Sequence, residues 1–143
     1  MAENHVRKKL GEGKLAVGLT LRIAPSIEMA AVARQAGFDW LFLDMEHGSM
    51  AVHHVGQLSI AAGMAGITPI ARVTHQDLAT AARLLDSGAH GIIFPHVDTP
   101  EEARAAADAC RFAPVGNRSF GGMPPSIGFA PIPAAEVTRK SNE

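Results

Sequence analysis

Phe38-Asp39-Trp40-Leu41-Phe42-Leu43-Asp44-Met45-Glu46-His47-Gly48 decides how this chain folds. The run from Phe38 to Leu43 is apolar but for Asp39. It lacks the polar alternation of a half-solvated strand, so it predicts a strand buried on both faces, as in a parallel sheet. Two carboxylates and an imidazole follow at once, and Gly48 lets the backbone turn. Ionisable groups at the end of a buried strand cost desolvation energy unless they are paired or used. In parallel α/β architectures the carboxyl ends of strands are where reactive side chains gather.

The same design recurs on either side. Ala36-Gly37-Phe38, Ala65-Gly66-Ile67 and Ser87-Gly88-Ala89 each join the end of a helical pattern to the start of an apolar run. The joints are roughly 22 to 29 residues apart, about one βα unit each. Strands are expected at Leu15–Leu21, Phe38–Leu43, Ile67–Val73 and Gly91–Pro95. Helices are expected from Pro25 to Gln35, from Val52 to Met64, from Asp77 to the Gly88 stop, and from Thr99 to Cys110. Thr99-Pro100-Glu101-Glu102 carries threonine, proline at the first helical position and glutamate three residues after the cap, a complete capping box. A short surface helix is expected over Ala2–Leu10 and a last one over Ala134–Asn142, with the Gly- and Pro-rich stretch 112–133 irregular. Alternating strand and helix argue for an α/β fold with a parallel sheet, open or (β/α) barrel. A closed eight-unit barrel takes about 250 residues, and 143 residues supply about four units. The whole chain, 1–143, therefore reads as one domain: a small open sheet or half a barrel.

Composition narrows the function. The formal net charge is −1 and basic residues are scattered, so no positive field exists to hold a nucleic-acid backbone. No apolar run reaches the length of a membrane span, and Arg7, Lys8 and Lys9 precede no signal-type apolar segment. The single cysteine, Cys110, excludes an internal disulfide and accords with a reducing, cytoplasmic setting.

The groups able to do chemistry follow the strands. Thr20 and Arg22 follow the first; Asp44, Glu46 and His47 the second. Arg72 closes the third, with His75 and Asp77 beyond, and His96 and Asp98 follow the fourth. One polar rim is what an active-site face predicts. His47 is the candidate general base, because imidazole titrates near neutrality. Asp44 is a nearby carboxylate to orient it, and Asp86, at a helix end, is another if the fold brings it near. Arg72 offers a fixed fork of donors for a carboxylate or a developing enolate oxygen. No His-x-x-x-His or Cys-x-x-Cys spacing marks a zinc site. Gly116 to Gly122 matches neither the P-loop nor the dinucleotide pattern.

Taken in order, Leu43-Asp44-Met45-Glu46-His47-Gly48, Ile70-Ala71-Arg72-Val73, Leu84-Leu85-Asp86-Ser87-Gly88-Ala89, Pro95-His96-Val97 and Arg111-Phe112-Ala113-Pro114-Val115-Gly116-Asn117-Arg118 resemble the HpcH/HpaI aldolase / citrate lyase family, in particular its 4-hydroxy-2-oxo-acid and 2-dehydro-3-deoxyglucarate aldolases. The resemblance implies a class II pyruvate aldolase on a (β/α)8 TIM barrel, here its N-terminal half. It implies a divalent metal of the Mg²⁺ or Mn²⁺ type, a 2-oxo acid and an aldehyde as substrates, and a homo-oligomer. His47 matches the catalytic base, Asp86 the aspartate of its dyad, and Arg72 the arginine that binds the pyruvate carboxylate and enolate. Asp44 and Glu46 match the acidic pair of the same motif, and Gly116, Arg118 and Gly121 a loop near the active-site mouth. The family's metal carboxylates, at the end of the fifth strand and after the sixth, would lie beyond Glu143. The chain alone is therefore expected to be nearly inactive. The alternative is a non-catalytic fragment or interaction module that assembles with a full-length homologue. A third reading, a lyase of citramalyl- or malyl-CoA thioesters, is less favoured by Glu46-His47-Gly48.

Overall fold

The computed structural model describes residues 4–142. After α1 (His5–Gly11) come four βα units: β1 (Gly18–Leu21) with α2 (Glu28–Gln35), β2 (Trp40–Asp44) with α3 (Val52–Ala65), β3 (Thr68–Arg72) with α4 (Leu78–Asp86), and β4 (Gly91–Ile93) with α5 (Pro100–Cys110). A 3₁₀ turn, Pro125–Ile127, and α6 (Ala134–Asn142) follow. The strands form one parallel sheet in chain order β1-β2-β3-β4. Strands that neighbour in sequence and in space, each returning through a helix, are the winding of a (β/α)8 barrel, here four units of it.

Local physics explains the elements. Thr99 accepts the Glu102 amide at 3.2 Å while the Glu102 carboxylate reaches back to the Thr99 amide at 3.1 Å, closing the expected box. Asp77 caps α4 through the Thr80 amide at 3.0 Å. The repeated helix–glycine–strand joint is a left-handed helix stop. Gly37, Gly66 and Gly88 all take positive φ, up to 105° at Gly88, a region costly for any residue with a Cβ. The expected helix over Ala2–Leu10 begins instead with Asn4 as its cap, accepting the Arg7 amide at 3.0 Å; Ala2 lies outside the described residues. β1 starts at Gly18 rather than Leu15, which is 79% exposed, and α2 starts at Glu28 rather than Pro25.

Burial of β2 departs from the expectation. Leu41 and Leu43 are fully buried against the helices with Val55, Leu58 and Leu84, whereas Trp40 and Phe42 on the other face are only partly covered. Successive strand residues point to opposite sides. The helices cover one face, and four strands cannot wrap round to enclose the other. Trp40 and Phe42 meet edge to face at 6.1 Å along this inner face, and the Trp40 ring lies over Gly18, where any side chain would collide with it. α1 closes the lower end of the same face. Its Lys9 ammonium donates to Asp39 at 2.6 Å, and Asp39, only 6% exposed, also accepts the Val17 amide at 2.9 Å. The tail is tied back by Asn142, whose side chain accepts the Phe112 amide at 2.8 Å and donates to its carbonyl at 3.0 Å.

Candidate active site at the carboxyl ends of the strands

Asp44 and Arg72 are register partners at the ends of β2 and β3, so their side chains leave the sheet on the same side. Arg72 Nε donates to Asp44 Oδ1 at 3.0 Å and Nη2 to Oδ2 at 2.7 Å, a two-pronged grip. Oδ1 also accepts the amides of Glu46 at 3.0 Å and His47 at 3.2 Å, which bends the chain sharply after the strand. Asp44 is 1% exposed. The Arg72 guanidinium, helped by those two amides and opposed by burial, holds its carboxyl down to about 2. The same contact raises Arg72 above the ordinary guanidinium value. This pair is a permanent ion pair at neutral pH.

Around it stand four more groups. Glu46 Oε2 lies 3.1 Å from Arg72 Nη1 and 3.5 Å from His47 Nε2, while Oε1 lies 3.3 Å from His96 Nε2. One carboxylate thus touches a guanidinium and two imidazoles. Arg22, after β1, donates to the His47 carbonyl through Nη2 at 2.6 Å and Nε at 3.1 Å, and reaches Asp44 Oδ2 at 3.5 Å. The Ser49 amide donates to the Arg22 carbonyl at 3.2 Å, so β1 clamps the Glu46–Ser49 turn from both sides. Gly48 is required there: a Cβ would sit 2.7 Å from the Asp44 carbonyl oxygen and closer still to that of Arg22. His47 and His96 are 57% and 68% exposed, so both imidazoles present themselves to the open rim. His96 holds a left-handed backbone (φ 54°), an uncommon conformation for a residue with a side chain, and its ring meets that of His75 edge-on at 6.0 Å.

Five expected or candidate groups therefore converge: Asp44, Glu46, His47, Arg72 and His96. Arg22 and His96 stood in the sequence at strand ends but carried no assigned role; their position there was the available signal. Two expected site residues are not brought in. Asp86 is the last residue of α4, which starts beyond the end of β3 and runs back to the start of β4, so its carboxylate lies at the opposite end of the sheet, a helix of nine residues or about 13 Å away. There it pairs with Arg118 at 2.6 Å and not with His47. Arg118 is likewise at that far end, 6% exposed, with its guanidinium 4.5 Å over the Phe112 ring. Within one chain Asp86 and Arg118 pair with each other at the far end of the sheet, and neither is brought beside His47. His53 and His54 act locally, His54 Nδ1 accepting the Ala51 amide at 3.1 Å at the start of α3. Cys110 is partly buried, and burial pushes its thiol up, away from the reactive thiolate.

The carboxylates present do not make a cation cage. Both oxygens of Asp44 are occupied by donors, Glu46 faces the Arg72 guanidinium and the imidazoles of His47 and His96, and among the described residues no group of three or more His, Cys, Asp or Glu could hold a metal ion. No helix among the described residues is long and apolar enough to cross a membrane.

Comparison with known proteins places this rim in context. Residues 24–140 match the family model of HpcH/HpaI aldolase/citrate lyase. The 4-hydroxy-4-methyl-2-oxoglutarate aldolase tasA of Hapsidospora irregularis is 38% identical over 94% of this chain and 50% of its own length. The 4-hydroxy-2-oxovalerate aldolase of Rhodococcus jostii is 36% identical over 83% and 46%. The solved HpcH/HpaI aldolase from Desulfitobacterium hafniense superposes with a TM-score of 0.88 at 31% identity, over 96% of this chain and 52% of that one. The chain spans about half the length of the relatives it matches. With the motif Asp44-Met45-Glu46-His47-Gly48 at the end of β2 and Arg72 beside it, the chain belongs to the HpcH/HpaI aldolase/citrate lyase family.

Proposed function

We propose that this chain carries the substrate-carboxylate half of an aldolase site, for reversible cleavage of a 4-hydroxy-2-oxo acid to pyruvate and an aldehyde. The observation that carries the reading is Arg72. Asp44 holds two of its five N–H groups and Glu46 Oε2 lies 3.1 Å from Nη1, which leaves donors on the fork for an anionic oxygen. Such donors bind the 2-oxo acid carboxylate and stabilise charge that develops on the enolate. His47, beside Glu46, takes the proton of the 4-hydroxyl in the cleavage direction, and its ring is exposed enough to meet a substrate or one bridging water. Arg22 holds the His47 carbonyl and so the ring's starting position. Glu46, 3.5 Å from His47 Nε2, is the carboxylate of this chain that stands beside the ring; the dyad role of Asp86 rests on the family resemblance.

The resemblance implies a divalent ion that polarises the 2-oxo acid, but the described residues do not fit one by themselves, so no step here runs through it. Carboxylates from outside these residues would have to supply it. For this reason the isolated chain is expected to be nearly inactive.

A coupled assay for pyruvate release, with Mg²⁺ or Mn²⁺ and a 4-hydroxy-2-oxo acid, tests the reading on this chain alone and on this chain co-produced with the C-terminal half of a family member. Turnover is expected only in the second case, and Arg72→Lys is expected to lower it by about 10²–10³-fold. A well-folded complex without turnover sinks the aldolase assignment; turnover by the chain alone sinks the claim that it lacks a metal site. The second reading is a non-catalytic module that assembles with a full-length homologue. It predicts capture of a full-length homologue with no turnover added.

A further inference from the structure

The two carboxylate oxygens of Glu46 stand in different surroundings. Oε1 lies 3.3 Å from His96 Nε2. Oε2, shielded from solvent, lies 3.1 Å from Arg72 Nη1 and 3.5 Å from His47 Nε2, yet among the described residues it completes no hydrogen bond. A shielded carboxylate oxygen without a donor is costly, and use in chemistry is one reason for a fold to keep one. His96, on the other oxygen, is braced. It follows β4 with a left-handed backbone (φ 54°), and its ring meets that of His75 edge-on at 6.0 Å. Gln76, beside His75, is left-handed as well (φ 54°). Glu102 of α5 ties the two loops together. Its Oε1 accepts Gln76 Nε2 at 2.5 Å, and its Oε2 accepts the amides of Asp98 and Thr99 at 2.8 and 3.1 Å. Two residues in a sparsely populated conformation persist only where the surrounding contacts enforce it, and such residues cluster at active sites.

We propose that His96 is a positioning residue for the aldol step. Its Nε2–H donates to Glu46 Oε1 and so keeps Oε2 in front of His47 Nε2. There Oε2 is the acceptor for the imidazole N–H once His47 has taken a proton from the 4-hydroxyl. The proton moves from the substrate oxygen to the ring, and the positive ring meets a carboxylate already turned toward it. Without His96 the carboxylate is free to turn toward Arg72 alone. Arg72 and Asp44 grip each other across β2 and β3 whether or not His96 is present, so the donors for the 2-oxo acid carboxylate stay where they are. The chemistry of this inference rests on the aldolase reading; the contact between His96 and Glu46 does not.

Imidazole and carboxyl NMR spectra of the full chain test the contact without any need for turnover. The His96 Nε2–H should give a proton signal protected from solvent exchange, and Glu46→Ala should abolish it. The Glu46 carboxyl carbon should shift in His96→Asn, which suits a left-handed backbone but is too short to reach. It should stay in place in His96→Gln, whose amide can donate to the same oxygen. With the C-terminal half of a family member co-produced, His96→Asn should lower kcat for pyruvate release about tenfold at unchanged KM, and His96→Gln should restore it. A His96 N–H that exchanges freely, Asn and Gln variants that behave alike, or a raised KM at unchanged kcat would each overturn the proposal. Should His96→Asn not fold, the His96 N–H signal of the unmodified chain decides alone. A complex that lacks turnover even when unmodified sinks the aldolase reading, and the spectra then decide whether His96 holds Glu46.

Discussion

Replacing Arg72 with methionine tests the physical centre of the site. Methionine keeps much of the side-chain length and loses the charge. The Asp44 carboxylate, 1% exposed, then keeps only the amides of Glu46 and His47 and a distant Arg22. Breaking one side of a buried ion pair costs about 3–5 kcal/mol, and Arg72 at 23% exposure puts this case toward the lower end. The acidity gives a second route to the magnitude. Asp44 falls from 3.8 to about 2, with Arg72 the leading cause. At about 1.4 kcal/mol per pH unit this is on the order of 2 kcal/mol. The two routes agree on a loss of about 2–3 kcal/mol at pH 7. The sign with pH follows. A depressed carboxyl contributes stability that is fully present above its unfolded value near 4 and is lost as pH falls toward 2. In the variant, burial without the guanidinium moves the carboxyl upward, so that contribution is already gone at neutral pH. The difference between the two proteins should therefore be largest at pH 7 and shrink across pH 4 to 2. Urea denaturation at a series of pH values measures it. A difference under about 0.5 kcal/mol at pH 7, or one that stays flat down to pH 2, would refute the reasoning.

Other perturbations probe the frame around the site. Asp39→Ala removes acceptors for Lys9 at 2.6 Å and the Val17 amide at 2.9 Å and should cost about 1–3 kcal/mol by thermal denaturation. The Lys9 contact, foremost, holds Asp39 below the usual carboxylate range, so the loss should be present above about pH 4 and fade below it. Gly48→Ala should destabilise by at least about 2 kcal/mol, because the new methyl meets the carbonyl oxygens of Arg22 and Asp44. Gly63→Ala, inside α3 with nothing within 4 Å of a new Cβ, should instead stabilise by about 0.5–1 kcal/mol. Equal effects at the two glycines would show that the β2–α3 turn is not as tightly clamped as described.

Much of the frame could be read from the chain because it depends on neighbours in sequence. The Thr99–Glu102 box, the Asp77 cap and the three glycine joints involve groups one to four residues apart, and chain connectivity alone brings these together. The order of strand and helix follows from them, and so does the gathering of polar residues beyond each strand. Asp44, Glu46 and His47 sit together for the same reason. The tertiary structure decided the rest. That Arg72 grips Asp44 depends on the parallel register of β2 and β3, a contact across 28 positions. That Arg22 holds the His47 carbonyl depends on β1 lying on the other flank. Asp86 is a further case. Its place at a helix end, just before a joint glycine, puts it at the foot of the sheet, and within one chain the return path of α4 pairs it with Arg118 across 32 positions. The one-sided burial of β2 has the same origin. An apolar strand can state that both its faces are fit for a core, but only the number of strands around it determines whether the second face is covered.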